Sequence, residues 1–165
     1  FFDPVNNTAA VEQLNKELGK DGGRTVLISG CIDTQKVHIS SAIASGYKYM
    51  LIVTSDEAKA RKMCDDASFF NREAIYYPAK DAIFYSISRI INHSSTGEGV
   101  LTVVTTMDGI ADRLIPVERF KEAVITLDYS SEIEPEKLAK KLVAMGFVRT
   151  GMVEDKGHFA IRGEL

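Results

Sequence analysis

Runs of apolar residues alternate with segments of helical spacing along the first two thirds of the chain. TVLIS at 25–29, YMLIV at 49–53, the AIYY of 74–77 and VLTVV at 100–104 have the unbroken apolar character of strands buried on both faces. Between them lie segments whose apolar positions recur every three or four residues. The pattern predicts a helix over 8–18, with Thr8 as its cap, Ala10, Val11, Leu14 and Leu18 on one face and Gly19 as its terminator. It then predicts strands over 24–30, 47–55 and 73–78, with helices over 35–45 and 56–70 between them. Asp56 and Glu57 suit the positive end of the second of these helices. KDAIFYSIS at 80–88 reads as a loop, SRIINHSS as the start of a helix and TGEG as a turn. A further strand follows at 100–106, then short helices at 107–114 and after Pro116.

Strands alternating with helices imply an α/β fold with a parallel sheet covered on both faces. From about residue 122 the character shifts. AVITLDY reads as a strand, EPEKLAKKLVAMG as a helix with Pro135 in its first turn, and FVRTGMVE and HFAIRGEL as a hairpin about DKG. The expected organisation is an α/β domain over 1–118 followed by a small α+β domain over 119–165. The start without Met and the stop at IRGEL read as cuts in something longer.

The 165 residues are 45% hydrophobic and 26% charged, as in a globular domain. A formal net charge of −3 disfavours direct DNA binding by this stretch. Cys31 and Cys64 are isolated, which suits a reducing, cytoplasmic setting rather than a disulfide framework. Nothing resembles a signal peptide or a membrane span.

The segment after the first apolar run sits where a phosphate-binding loop would sit. Counted from Gly30, it reads G-C-I-D-T-Q-K-V against G-x-x-x-x-G-K-[ST]. Gly30 and Lys36 are in register, but Gln35 replaces the second Gly and Val37 replaces the Mg²⁺-binding hydroxyl. Such a loop needs Gly so that backbone N–H groups can close on phosphate. The loop is therefore degenerate, and no catalytic residue and no cofactor is expected. His38, His93 and His158 lack ligand spacing, so no metal site is expected either. Asp65-Asp66 and the Lys137, Lys140, Lys141 group read as solvated helix faces.

PAKDAIFYS, VLTVVTTMDGIADRLIP and LVAMGFVRTGMVEDKGHFAIRGEL, in this order, resemble the amino-terminal, UvrB-like module of the bacterial transcription-repair coupling factors, the Mfd family. That module is itself similar to the front of UvrB. The stretch between Tyr85 and Gly99 is shorter than in the family, and the second domain stops early. The resemblance implies a degenerate RecA-like first domain, since the loop works in UvrB and is degenerate in the coupling factors. It also implies a second domain that docks UvrA in nucleotide excision repair, with RNA polymerase and DNA as partners of the longer protein and no membrane. The family's contact positions fall here on Arg149 and Arg162, with Ala160 where UvrB has another Arg. Alternation along HFAIRGEL turns Phe159 and Ile161 inward and Arg162 outward. The competing readings are an ATP-binding fragment of UvrB type and a small-ligand-binding Rossmann-like domain. The latter is weakened by the lack of G-x-G-x-x-G.

Overall fold

The structure, a computed structural model, describes residues 6–19, 25–71, 73–79, 83–125 and 127–162. The chain divides into two compact units, Phe1–Arg113 and Leu114–Leu165.

The first unit is built on a three-stranded parallel sheet. Its strands are β1 (Tyr49–Thr54), β2 (Glu73–Tyr76) and β3 (Leu101–Thr106), in the order β1-β3-β2. Tyr49 and Glu73 both stand opposite Leu101, so the three strands start level. Central β3 is buried at every position, which its all-apolar and Thr composition allows. Helices α1 (Ala9–Leu18) and α2 (Asp33–Ala44) precede β1. Helix α3 (Glu57–Phe70) links β1 to β2, and α4 (Ile83–Thr96) links β2 to β3. The first of these links steps over β3 and the second steps back. Right-handed crossovers then require the two helices to lie on opposite faces.

The two cores follow that arrangement. On one face Val37 of α2 and Ala60, Met63, Cys64 and Ala67 of α3 meet Val104, with Ile52, Ala74 and Tyr76 at the margin. On the other, Ile83, Ile87 and Ile90 of α4 cover Ile75, Tyr77, Leu101 and Val103. Burial pushes the Cys64 thiol above its ordinary value, helped by the nearby Asp65 carboxylate. Two polar ties cross the core. Asn71 Nδ2, at the end of α3, donates to Thr102 Oγ1 at 2.9 Å and to Ser41 Oγ at 3.3 Å. Thr105 Oγ1 donates to the Tyr77 carbonyl at 2.8 Å.

Thr8 caps α1, accepting from Val11 N at 3.4 Å, and Gly19 ends it in a right-handed conformation rather than a left-handed one. Asp56 caps α3 through Lys59 N at 2.8 Å. Helix α4 corrects the expected loop at 80–88, because residues 83–88 are helical and Ile83, Ile87 and Ile90 share one half-buried stripe packed on the core. Residues 80–82 lie outside the described residues, as does Arg24 of the first expected strand.

That strand is a second correction. Residues 25–29 pair with no strand among the described residues, and Val26, Leu27 and Ile28 are exposed. Val26 and Ile28 line a cavity of about 450 Å³ together with Leu14, Ile43 and, on β1, Leu51. An apolar run becomes a strand only where an edge is within hydrogen-bonding reach.

The second unit holds α6 (Val117–Ala123), α7 (Pro135–Ala144) and the short strands β4 (Val148–Arg149) and β5 (His158–Phe159); α5 (Met107–Ala111) precedes it. The described residues of AVITLDY form no strand, and Val124, Leu127 and Tyr129 are exposed. The described residues of the whole chain are therefore mixed α/β with a small parallel sheet. No helix among them is long and apolar enough to cross a membrane.

Candidate functional site

Two places answer to the chemistry expected from the sequence, one in each unit.

In the first unit, Gly30 takes a left-handed φ of +79°, and the chain enters α2 at Asp33. Gln35, standing where a phosphate loop needs Gly, turns its Oε1 back to accept the Ile32 N–H at 3.1 Å. That N–H is one of the free donors of a helix start, the kind that would otherwise meet an anion. Lys36 lies 3.0 Å from Asp33 Oδ1, and Lys59 of α3 lies 3.4 Å from Asp33 Oδ2. The hydrogen bond from Lys36, assisted by Lys59, holds the Asp33 carboxyl below its ordinary range against the opposing effect of burial. Thr34 Oγ1 donates to Asp66 Oδ2 at 2.9 Å, a second link between α2 and α3. Val37 is fully buried in the core. The segment is thus a helix start closed by its own side chains.

The second unit carries the two arginines. Helix α7 begins at Pro135 and stops through Gly146, at φ +91°. Phe147 N bonds the Leu142 carbonyl at 3.0 Å and Gly146 N the Val143 carbonyl at 3.0 Å, the paired closure that reverses a chain at a helix end. The reversal delivers β4 beside β5. These strands run parallel, with Val148 opposite His158 and Arg149 opposite Phe159. Val148 N bonds the Gly157 carbonyl and Thr150 N the Phe159 carbonyl, each at 2.9 Å.

The expected hairpin about DKG is corrected accordingly. The chain turns twice between the strands, once where Thr150 Oγ1 donates to the Met152 carbonyl and again where His158 N bonds the Asp155 carbonyl. Two turns return the chain in its original direction. Gly157, at φ +85°, still supplies the backbone freedom the second turn needs.

Arg149 is exposed on β4, and Arg162 is exposed beyond the end of β5. Phe159 and Ile161 are half-buried, and so is Ala160, because the ladder ends at Phe159 and strict alternation ends with it. Residues 163–165 of the last expected strand lie outside the described residues. Among the described residues neither guanidinium has a carboxylate within ion-pairing distance.

The histidines occupy separate places. His38 stacks on Phe70 with ring centroids 4.4 Å apart, His93 bonds Glu73 and the Lys48 carbonyl, and His158 sits on β5. No three His, Cys, Asp or Glu residues among those described gather as a metal site. The cap role of Gln35 and the environment of His93 escaped the sequence reading. Ile32 at the cap position lacks the hydroxyl of the usual cap pattern, so only half of that signal was present at Gln35, and nothing local marked His93.

The sequence has counterparts among known proteins. Residues 125–165 match the UvrB interaction domain family. The chain is 29% identical over 157 residues to the transcription-repair-coupling factor of Bacillus subtilis (strain 168), covering 87% of this chain and 13% of that protein. It is 26% identical over 140 residues to that of Rickettsia bellii (strain RML369-C), covering 77% of this chain and 12% of the relative. Against that of Staphylococcus aureus (strain USA300) it is 26% identical over 166 aligned positions, covering 92% and 14%. The chain thus spans about an eighth of the length of these relatives. No solved structure matches it. The resemblance read from the motifs is borne out: the chain is similar to transcription-repair coupling factors over most of its length, and its last part matches the UvrB interaction domain family.

Proposed function

We propose that this chain is a non-catalytic docking module which brings UvrA to transcription-coupled nucleotide excision repair, with Arg149 and Arg162 as contact residues. The observation that carries the reading is the UvrB interaction domain match over 125–165, within which both arginines stand exposed. An exposed guanidinium forks onto carboxylates and stacks on rings, and such anchors carry a large share of interface energy. The first unit acts as a degenerate RecA-like scaffold. Asp33 and Gln35 occupy the groups that a phosphate would need, which supports a unit without nucleotide hydrolysis. RNA polymerase and DNA are partners of the longer cytoplasmic protein, engaged through parts outside this chain.

The test is calorimetric titration of UvrA into the chain, with Arg162→Ala and Arg149→Ala in parallel and ATP as a control ligand. The expected result is micromolar or tighter binding that weakens roughly thirtyfold, or ~2 kcal/mol, in the Arg162 variant. Absence of UvrA binding, or binding indifferent to both arginines, overturns the site assignment. Heat from ATP revives the nucleotide-binding alternative.

A further inference from the structure

We propose that the outer edge of β1, with the uncovered face beside it, receives an extended apolar strand from a part of the longer protein outside these 165 residues. That strand completes the sheet of the first unit. Among the described residues β1 pairs with β3 alone. Its other edge therefore presents backbone N–H and C=O groups as a template for one more strand.

Two features mark this edge as one built to be covered. The first is its sequence, because YMLIVT runs for six residues with no charge and no Pro. Edges that stay in water are blunted by charge, shortness or Pro. Strand β2, at the opposite edge of the sheet, is blunted in this way: it is four residues long, opens on Glu73, which pairs with Arg89, and is soon followed by Pro78. The second feature is the missing cover. Tyr49 stands opposite Leu101 and Leu51 opposite Val103, so these four side chains leave the sheet on one face. Helix α4 packs over Leu101 and Val103 there, whereas Leu51 is 59% exposed. The helix touches β1 at Tyr49, whose hydroxyl donates to the Ile90 carbonyl at 3.4 Å, and leaves Leu51 and Val53 in solvent.

The segment 25–29 has the same unmet needs. It has strand composition and no strand partner, and Leu27 is 90% exposed. Val26 and Ile28 line the same cavity as Leu51 and Ile52. An extended apolar segment entering that cavity buries side chains of both. The occupant belongs to the same protein. The chain spans about an eighth of the length of its relatives, so most of such a protein lies outside it. A tethered segment acts at an effective concentration in the ~millimolar range, which a second copy does not reach. This strand site lies in the first unit and does not depend on UvrA docking by the second.

Hydrogen exchange in the longer protein and in the 165-residue chain tests it, with the buried strand β3 as the internal sign that the unit is folded. Alternate amides of 49–54, those on the outer edge, should exchange at least about tenfold more slowly in the longer protein, the effect of one added hydrogen bond. Leu51→Asp, which sets a charge where the added strand packs, should cancel that difference and leave exchange in the 165-residue chain unchanged. Equal exchange of these amides in the two proteins overturns the proposal, as does a longer protein indifferent to Leu51→Asp. A dimer of the longer protein that Leu51→Asp dissociates also overturns it. So does slow exchange in the 165-residue chain itself: sedimentation as a monomer then gives the edge to residues 25–29, and sedimentation as a dimer gives it to a second copy.

Discussion

Asp33 lies 3.0 Å from the Lys36 ammonium one turn further along α2, so the lysine that a phosphate loop would aim at its ligand is already engaged. Val37, next in sequence, faces the opposite way and is fully buried against the α3 side of the sheet. The departures from the loop pattern thus have structural employment. Writing the pattern back should fail: Gln35→Gly removes the α2 cap, and Val37→Thr buries a hydroxyl in an apolar core at a cost of about 1–3 kcal/mol. Urea unfolding of Val37→Thr should show that loss, and calorimetry of the double variant should show no heat from ATP.

Asn71 fastens three elements with one side chain amide, reaching Thr102 of β3 and Ser41 of α2 from the end of α3. Thr102 and Ser41 are fully buried, so removing the amide strands both hydroxyls away from water. Asn71→Ala should lower the unfolding free energy by about 1–3 kcal/mol. Ser45→Ala, on an exposed turn, should change it far less in the same urea titration.

Gly109 is required by a close approach rather than by its backbone angles. A Cβ there would lie 2.2 Å from Thr105 Oγ1, whose bond to the Tyr77 carbonyl fixes the end of β3. Gly109→Ala should therefore destabilise the first unit by about 1–3 kcal/mol through overpacking. Combining it with Thr105→Ala, which removes the obstructing oxygen, should give less than the sum of the two losses.

Much of the first unit was legible because its signals are local. YMLIV and VLTVV announce strands buried on both faces, and Asp56 announces the start of α3. TVLIS has the same composition but no strand within reach, and the presence of a neighbour is not written in the run itself. Helix α4 was hidden by Phe84 and Tyr85, exposed aromatics that suggest a loop, although Ile83, Ile87 and Ile90 already stood at helical spacing. In the second unit the turn at DKG was readable, but strand direction was not. The direction depends on the extra turn at Thr150, a residue with no unusual local preference. Exposure of Arg162 followed from parity, whereas Arg149 shares parity with Phe147 and Val153, so the alternation did not fix its direction.

Acid should weaken the chain through carboxylates held below their ordinary range. The Lys59 backbone N–H, followed by the Ser55 hydroxyl, lowers Asp56, and the Ser130 and Ser131 hydroxyls lower Asp128. A depressed folded-state value means that the stabilisation is present above the unfolded value, about 3.9, and is lost as pH falls through the folded one. The urea midpoint should therefore be flat near neutrality and fall below about pH 4. Asp56→Asn keeps an oxygen to cap α3 but cannot titrate. Its midpoint should fall less steeply over the same acid range, and an unchanged slope would remove Asp56 from the account.

Arginine at 149 and 162 should matter for recognition and hardly at all for folding. Both side chains are exposed, so Arg149→Lys and Arg162→Lys should leave the unfolding free energy within about 0.5 kcal/mol of wild type. The substitutions keep the charge and remove the planar fork. If UvrA is held by bidentate or stacked contacts, each should weaken binding about tenfold while the salt dependence of affinity stays near that of wild type. If the arginines act only as diffuse positive charge, lysine should substitute fully, and only the alanine variants should lose affinity. Titrations of the four variants at two salt concentrations separate these outcomes, and melting curves on the same samples check that the fold is intact.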